Sequence, residues 1–342
     1  MAKRKLTIDS SKGGNGDIWM RLVSFYAIAG ILTDLEIHLL IPKFLRNLAQ
    51  YAFGDRIVIA DEATIGHIEL SYSNLGMKDL IRGISKGNKY ISPYQRSVIN
   101  DKKKKQLKDS VNLLLFTIAD VLGVVQVPQW RWIKTYQGYL DIIGIKKLRS
   151  VDYDQYINKM QADYELLYNK LNGPDLPISP ELEFPADLHE STVIFPTGTS
   201  RQFIPVWWAK QNLPDAYYAF FHKDAEGEKF KEAGLKVVPF YKEAGDIIAL
   251  SKAAKWTVST DSFPSHLLQY ASETCSITIT EVLRSRIISP VFKGKVIDAQ
   301  VKCHPCLHLD RKNHPLCAAG FSECQNWVSS IYTNDLIQSI AV

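Results

Sequence analysis

The chain has 342 residues, of which 46% are hydrophobic and 23% charged, and its formal net charge is +5. This length and composition describe an ordinary globular protein of two domains whose cores need no disulfides, and they exclude disordered and fibrous classes. No apolar run is long enough to cross a bilayer or follows the basic N-terminus as a signal sequence would, so we expect a cytoplasmic protein without a transmembrane segment.

The first sixty residues alternate between strand and helix patterns. Ile18–Ala29 is apolar almost all round, which predicts a buried helix. The other predicted elements are the strands Lys5–Asp9, Leu35–Pro42 and Arg56–Asp61 and the helix Lys43–Phe53. Strand and helix in alternation at this spacing predict a parallel sheet with right-handed crossovers.

Two further helices are predicted before the middle of the chain, at Leu107–Leu122 and Tyr153–Leu171. Residues 172–186 are rich in proline, which is typical of an interdomain linker. Beyond them the alternation resumes from Thr192 to Thr280, with a strand predicted at Trp256–Thr260 and a helix at Ser262–Ser272 among its elements. It predicts a second doubly wound unit. We therefore expect an α/β protein with domains at 1–171 and 187–300, a linker at 172–186, and a cysteine-rich metal clip with a C-terminal helix at 301–342.

Three turns rich in small polar residues follow predicted strands, at Gly13–Asp17, Thr197–Arg201 and Asp261–His266. In open parallel sheets ligands bind beyond the carboxyl ends of the strands. The three turns are therefore expected to face one cleft between the two domains. A helix that starts after such a turn offers free N–H groups to an anion such as a diphosphate, although Ser262 can also be an ordinary N-cap.

Asp17 has two interpretations from the residues alone. It can be the N-cap of the following helix, or it can be a general base that takes a proton from an acceptor hydroxyl. The glycines before it let backbone approach a ligand closely, but Gly13–Asp17 has neither dinucleotide-fingerprint nor P-loop spacing.

These motifs resemble, in order, those of the bacterial heptosyltransferases of glycosyltransferase family 9. Residues 16–22 (GDIWMRL) are similar to the opening motif, 195–208 to the start of the donor domain, and 260–267 (TDSFPSHL) to the motif that ends in histidine. The resemblance implies a GT-B fold, two Rossmann-like doubly wound domains facing a cleft. It also implies inverting sugar transfer from a nucleotide-sugar donor, with no catalytic metal.

The resemblance also implies roles for individual residues. Asp17 matches the general base, and Gly14, Asn15 and Gly16 form the loop on the acceptor side. The implied donor-binding residues are Thr197, Thr199, Ser200, Arg201, Asp261, Ser262 and His266, although His266 can equally be a core histidine. Phe263-Pro264 replace the glycine usual after the motif's hydroxyl residue, so the sugar can be a heptose, a hexose or a pentose.

Four of the five cysteines lie close to the C-terminus, at Cys303, Cys306, Cys317 and Cys324. Four thiolates at this spacing predict a structural clip that holds zinc or iron, with two disulfides as the alternative. Iron has a precedent in some protein-modifying heptosyltransferases.

Two other functions remain open at this stage. The basic run Lys102–Lys105 and the cluster Trp130-Arg131-Trp132 are compatible with a glycosyltransferase that modifies DNA, in place of a surface glycan or a protein acceptor. The other alternative is a non-catalytic protein whose cysteine clip binds nucleic acid or a partner. Carboxylates at Asp17 and Asp261 favour an enzyme over a binder.

Overall fold

The computed structural model describes residues 4–11, 14–60, 70–73, 92–93, 153–197, 204–279, 288–289 and 291–298. The chain forms two compact units, Met1–Asp163 and Tyr164–Val342. The predicted helix Leu107–Leu122 and the C-terminal cysteines lie outside the described residues.

The first unit contains a parallel sheet in the strand order β3-β2-β1-β4-β5. Its described elements are β1 Arg4–Asp9, α1 Asn15–Ile31, β2 Leu35–Leu40, α2 Lys43–Phe53, β3 Ile57–Ala60, β4 Leu70–Ser73 and β5 Ser92–Pro93. Helix α1 is buried along most of its length, from Ile18 to Ala29, as the run of apolar residues predicts. Helix α3, Tyr153–Leu171, begins in this unit and ends in the second.

Helix α3 is anchored to the first unit by polar contacts near its N-terminal half. Arg56 donates to the carboxylate of Asp163 at 2.8 Å, and its guanidinium lies 4.1 Å from the centre of the Tyr26 ring. The Tyr156 hydroxyl donates to Ser24 at 2.9 Å in the interior. The two hydrogen bonds made by helix α3 join residues more than a hundred positions apart, so this part of the helix is a component of the first unit's core.

The second unit contains a parallel sheet in the order β11-β10-β9-β6-β7-β8. Its described elements are β6 Thr192–Phe195, α4 Val206–Asn212, β7 Tyr217–Tyr218, α5 Ala225–Glu232, β8 Lys236–Val237, α6 Ala244–Ala253, β9 Trp256–Thr260, α7 Phe263–Leu268, β10 Cys275–Ile279 and β11 Lys295–Asp298. Apolar side chains of the strands and helices, among them Ile194, Trp208 and Phe230, form one buried cluster. The predicted α/β class is confirmed, although α7 ends at Leu268 and not at Ser272 as the sequence pattern predicts.

Strand order reverses once in each sheet. In the first unit the chain moves from β1 outward to β2 and β3, and then returns to pair β4 with the other side of β1. In the second unit it moves from β6 to β7 and β8, and then returns to pair β9 with the other side of β6. At such a point the two helices that follow the neighbouring strands lie on opposite faces, which opens a crevice at the carboxyl ends.

The proline-rich segment after α3 is bound to the second unit through one buried carboxylate. Asp246, fully buried in the first turn of α6, accepts from the Ser179 amide and hydroxyl at 2.7 Å each. It also accepts from the amides of Lys242 and Glu243 at 2.8 and 3.0 Å. A side chain at Gly245 would meet the Pro177 carbonyl, so the chain can lie this close to α6 only at a glycine.

None of the described helices combines the length and the apolar character that crossing a membrane requires.

We expect Asp246→Asn to lower the free energy of unfolding by about 2–4 kcal/mol, because the amide nitrogen cannot accept and would face donors. Denaturant unfolding of the purified protein measures the effect. Asp175→Asn, an equal change at an exposed position of the same segment, is the control and should cost less than about 0.5 kcal/mol. Equal stability of the two variants would contradict the anchoring role of Asp246.

Candidate functional site

Helix α1 follows β1 in the chain, and Asp17 lies in the first turn of this helix. Gly14 is the N-cap, and no side chain caps the helix. Asp17 is thus the third helical residue and not the N-cap, and its charge interacts favourably with the N-terminal end of the helix dipole. Its side chain is half-buried and makes no hydrogen bond or ion pair with another described residue.

A buried guanidinium lies beneath this turn. Arg21, 3% exposed, donates from Nε to the Asp17 carbonyl at 3.2 Å and from Nη1 to the Ser10 hydroxyl at 2.8 Å. Ser10 directly follows β1, and its amide donates to the Leu40 carbonyl of β2 at 2.9 Å. Asp9, the last residue of β1, accepts from the amide and hydroxyl of Ser11. The start of α1 is therefore tied to the carboxyl end of the sheet.

In the second unit the two remaining turns follow the strands at which the order reverses. Strands β6 and β9 are neighbours, with Phe195 opposite Ser259. Thr197 and Asp261 come two residues after this pair, so the topology places them at the same edge of the sheet. The structure thus brings Thr197 and Asp261 to one edge, although the sequence separates them by more than sixty residues. Thr199, Ser200 and Arg201 lie outside the described residues.

The start of α7 uses most of its own hydrogen-bonding groups. Ser262 is the N-cap; its amide donates to the Ser265 hydroxyl at 3.3 Å, and its own hydroxyl donates to the Thr260 carbonyl at 3.2 Å. Pro264 has no N–H. A helix of six residues that begins in this way offers an anion fewer donors than the sequence pattern suggests.

Asp261 and His266 form a buried pair across the first turn of α7. Each side chain is 8% exposed, and His266 Nε2 lies 3.4 Å from Asp261 Oδ1. The other ring nitrogen, Nδ1, is buried and has no hydrogen-bond partner among the described residues. In the tautomer that carries its proton on Nε2, the N–H faces the Asp261 carboxylate and Nδ1 is left as an acceptor.

Asp224 is a member of this edge that the sequence did not single out. It caps α5 by accepting from the Glu226 amide at 3.0 Å, and it accepts from the Thr197 hydroxyl at 3.3 Å. Burial, and to a lesser extent the charge of Asp224, raises the pKa of the nearby Tyr241 phenol, which therefore stays protonated. The signal in the sequence is an aspartate between a strand and a helix, which is too common to indicate a site.

Lys223, the residue before Asp224, has a strained backbone conformation. Lys223 has φ of 66°, in the left-handed region that non-glycine residues seldom adopt. It lies between the bridge that pairs Phe221 with Tyr241 and the α5 N-cap. The strain is local to the carboxyl edge of the second sheet.

Several residues of interest in the sequence are not part of the described structure. They are Gly13, Lys102–Lys105, Trp130–Trp132 and the cysteines Cys303, Cys306, Cys317 and Cys324. The described segments contain no group of three or more His, Cys, Asp or Glu side chains arranged to hold a metal ion. The metal clip and the basic acceptor face remain predictions.

Comparison with solved structures identifies the fold. The chain superposes on E. coli heptosyltransferase WaaC with ADP-2-deoxy-2-fluoro heptose with a TM-score of 0.52, at 11% identity, over 98% of this chain and 99% of that one. Lower scores are found for E. coli ADP-heptose lps heptosyltransferase II (0.48, 12% identity, 99% and 98% covered) and for a family 9 glycosyl transferase from Veillonella parvula (0.49, 9% identity, 87% and 86% covered). No protein-family model and no curated protein matches the sequence.

The match to WaaC extends over nearly the full length of both chains, so the chain has a heptosyltransferase-like fold of the GT-B class. At this level of identity the likeness establishes the fold, and the activity has to be argued from the residues.

We expect the neutral imidazole of His266 to carry its proton on Nε2, because that nitrogen faces the Asp261 carboxylate. Nitrogen-15 NMR of histidine-labelled protein at a pH where the rings are neutral reports the tautomer. Asp261→Ala should remove the preference at His266; a proton on Nδ1 of His266 in the unaltered protein would contradict the assigned geometry.

Proposed function

We propose that this protein is an inverting glycosyltransferase that moves a sugar from a nucleotide-activated donor to a hydroxyl group of a surface glycan or a protein. The observation that carries the proposal is the position of Asp17 and Asp261. Asp17 lies in the first turn of the helix that follows β1, and Asp261 directly follows β9; each of these strands stands where the order of its parallel sheet reverses. Ligands of open α/β sheets bind at this point.

Asp17 is the general base in this proposal. Its carboxylate takes the proton of the acceptor hydroxyl as the acceptor oxygen forms a bond to the anomeric carbon of the sugar. The bond from that carbon to the diphosphate breaks on the opposite side, and its electron pair leaves with the nucleoside diphosphate. Attack opposite to the leaving group inverts the configuration, and Asp17 then releases the proton to solvent.

The second unit holds the donor. Asp261 accepts hydrogen bonds from sugar hydroxyls, while His266 orients its carboxylate from the buried side. The departing diphosphate needs positive charge and N–H donors. Because the Ser262 amide and hydroxyl are engaged within the turn and Pro264 has no N–H, we assign the larger share of this task to Arg201 and its turn, Thr197–Arg201.

Three features support this proposal over a non-catalytic binder. Asp17 has no partner among the described residues that would explain it as a structural carboxylate. Asp261 is buried beside a histidine with one unsatisfied nitrogen. The fold is that of WaaC, which was solved with ADP-2-deoxy-2-fluoro heptose. The nature of the sugar is left to a panel of hexose, heptose and pentose donors, with release of nucleoside diphosphate as the signal.

We expect Asp17→Asn to lower kcat for sugar transfer on the order of 10²–10⁴-fold, because the amide cannot take the acceptor proton. The dissociation constant of the donor, measured by calorimetry, should not change, since Asp17 belongs to the first unit. Asp34→Asn, at an exposed position before β2, is the control and should retain kcat. Wild-type kcat in Asp17→Asn would rule out the base assignment.

We expect Arg201→Met to weaken donor binding by about 10–100-fold, which corresponds to the loss of a charge-assisted hydrogen bond. Ser262→Ala should weaken it by less than about threefold, because the hydroxyl is already donated to the Thr260 carbonyl. Lys210→Met removes an equal charge from an exposed position at the end of α4 and serves as the control. A larger effect of Ser262→Ala than of Arg201→Met would show that the helix start, and not the cation, holds the diphosphate.

A further inference from the structure

We propose that Arg21 is a positioning residue for Asp17, acting through the backbone of the turn that carries it. This inference rests on the proposed function, since it concerns the residue assigned as the base. It rests equally on contacts of Arg21 that neither the motif resemblance nor the comparisons assign.

The guanidinium of Arg21 joins the residue after β1 to the first turn of α1. Its Nη1 binds the hydroxyl of Ser10, the residue directly after β1, at 2.8 Å, and its Nε binds the carbonyl of Asp17 at 3.2 Å. Between them lies the turn that leads from the sheet into α1. One planar group with two fixed donors therefore fixes the separation between the end of the strand and the first turn of the helix.

Burying the Arg21 guanidinium costs free energy, because the charge is taken out of water. Arg21 is 3% exposed, and neighbouring residues of α1 such as Leu22 and Phe25 are fully buried. A methionine would fill similar space without taking a charge out of water. The placement of a cation under the base-bearing turn, and not on the solvent side, points to a role at that turn.

The contact of Arg21 is made to the backbone of Asp17 and not to its side chain. The bond from Arg21 is made to the main chain of Asp17, so it constrains where the Cα and the carboxylate lie without occupying the carboxylate oxygens. Those oxygens remain available for the acceptor, and the side chain folds back toward Gly14, where an added Cβ would lie 3.5 Å from Oδ2. A displacement of a reacting group by about 1 Å can cost on the order of a hundredfold in rate.

The test is a double-mutant cycle between Arg21→Met and Asp17→Asn. Alone, Arg21→Met should lower kcat by about 10–100-fold and leave the donor KM unchanged. In the Asp17→Asn background the same change should alter the remaining kcat by less than about twofold, because the group being positioned has lost its function. A purely structural role of Arg21 would give the same fold-loss in both backgrounds.

Single contacts are removed by Ser10→Ala and Arg21→Lys, which should each lower kcat by less than Arg21→Met. Both variants retain more of the buried contacts and replace Arg21→Met in the cycle if that variant does not fold. Arg46→Met is the matched control, since Arg46 donates from Nε to the Ile41 carbonyl at 3.2 Å at the start of α2, and it should keep wild-type kcat.

The outcomes separate this inference from the proposed function. Full activity in Asp17→Asn overturns the base assignment, and the role of Arg21 with it. A loss in Asp17→Asn with full activity in Arg21→Met, or a loss of equal size in Arg46→Met, overturns the role of Arg21 alone. If the fold-loss of kcat in the double variant equals the product of the two single fold-losses, the role of Arg21 is also overturned.

Discussion

Parallel strand pairing constrains this chain at every level above the single residue. A parallel pair needs a crossover of a dozen or more residues, which is usually a helix, and all such crossovers leave the sheet at the carboxyl ends of the strands. The loops that carry polar side chains are consequently collected at one edge of each sheet. The reversal of strand order at β1 and at β6 then selects one position along that edge, and Asp17, Thr197 and Asp261 all follow strands at this position.

The same constraint explains what could be predicted from the sequence. Alternating apolar runs indicate strands, helical periodicity indicates crossovers, and their order indicates parallel sheets, so the α/β class was predicted. The helices α2 and α3 were predicted with their observed bounds. Strand β9 was predicted equally well. These elements follow from the local pattern of apolar and polar residues, which can be read from the sequence.

Long-range polar contacts could not be predicted in this way. Residues 172–186 have the composition of a linker, yet Ser179 donates its amide and hydroxyl to Asp246, which lies 67 positions away. Arg21 and Asp224 belong to the candidate site through hydrogen bonds to Ser10 and Thr197. An arginine in an apolar helix and an aspartate before a helix are each common, and only the folded chain shows which groups they contact.

The start of α7 shows how a motif can be present while its usual physical basis is altered. A helix N-terminus binds anions through N–H groups that have no other partner, and a glycine after the hydroxyl residue would leave more of them free. Here Phe263-Pro264 occupy that position, the proline removes one donor, and Ser265 takes another from Ser262. The dipole of six residues is also short. If this edge binds a diphosphate, positive charge has to come from a side chain, which is the part proposed for Arg201.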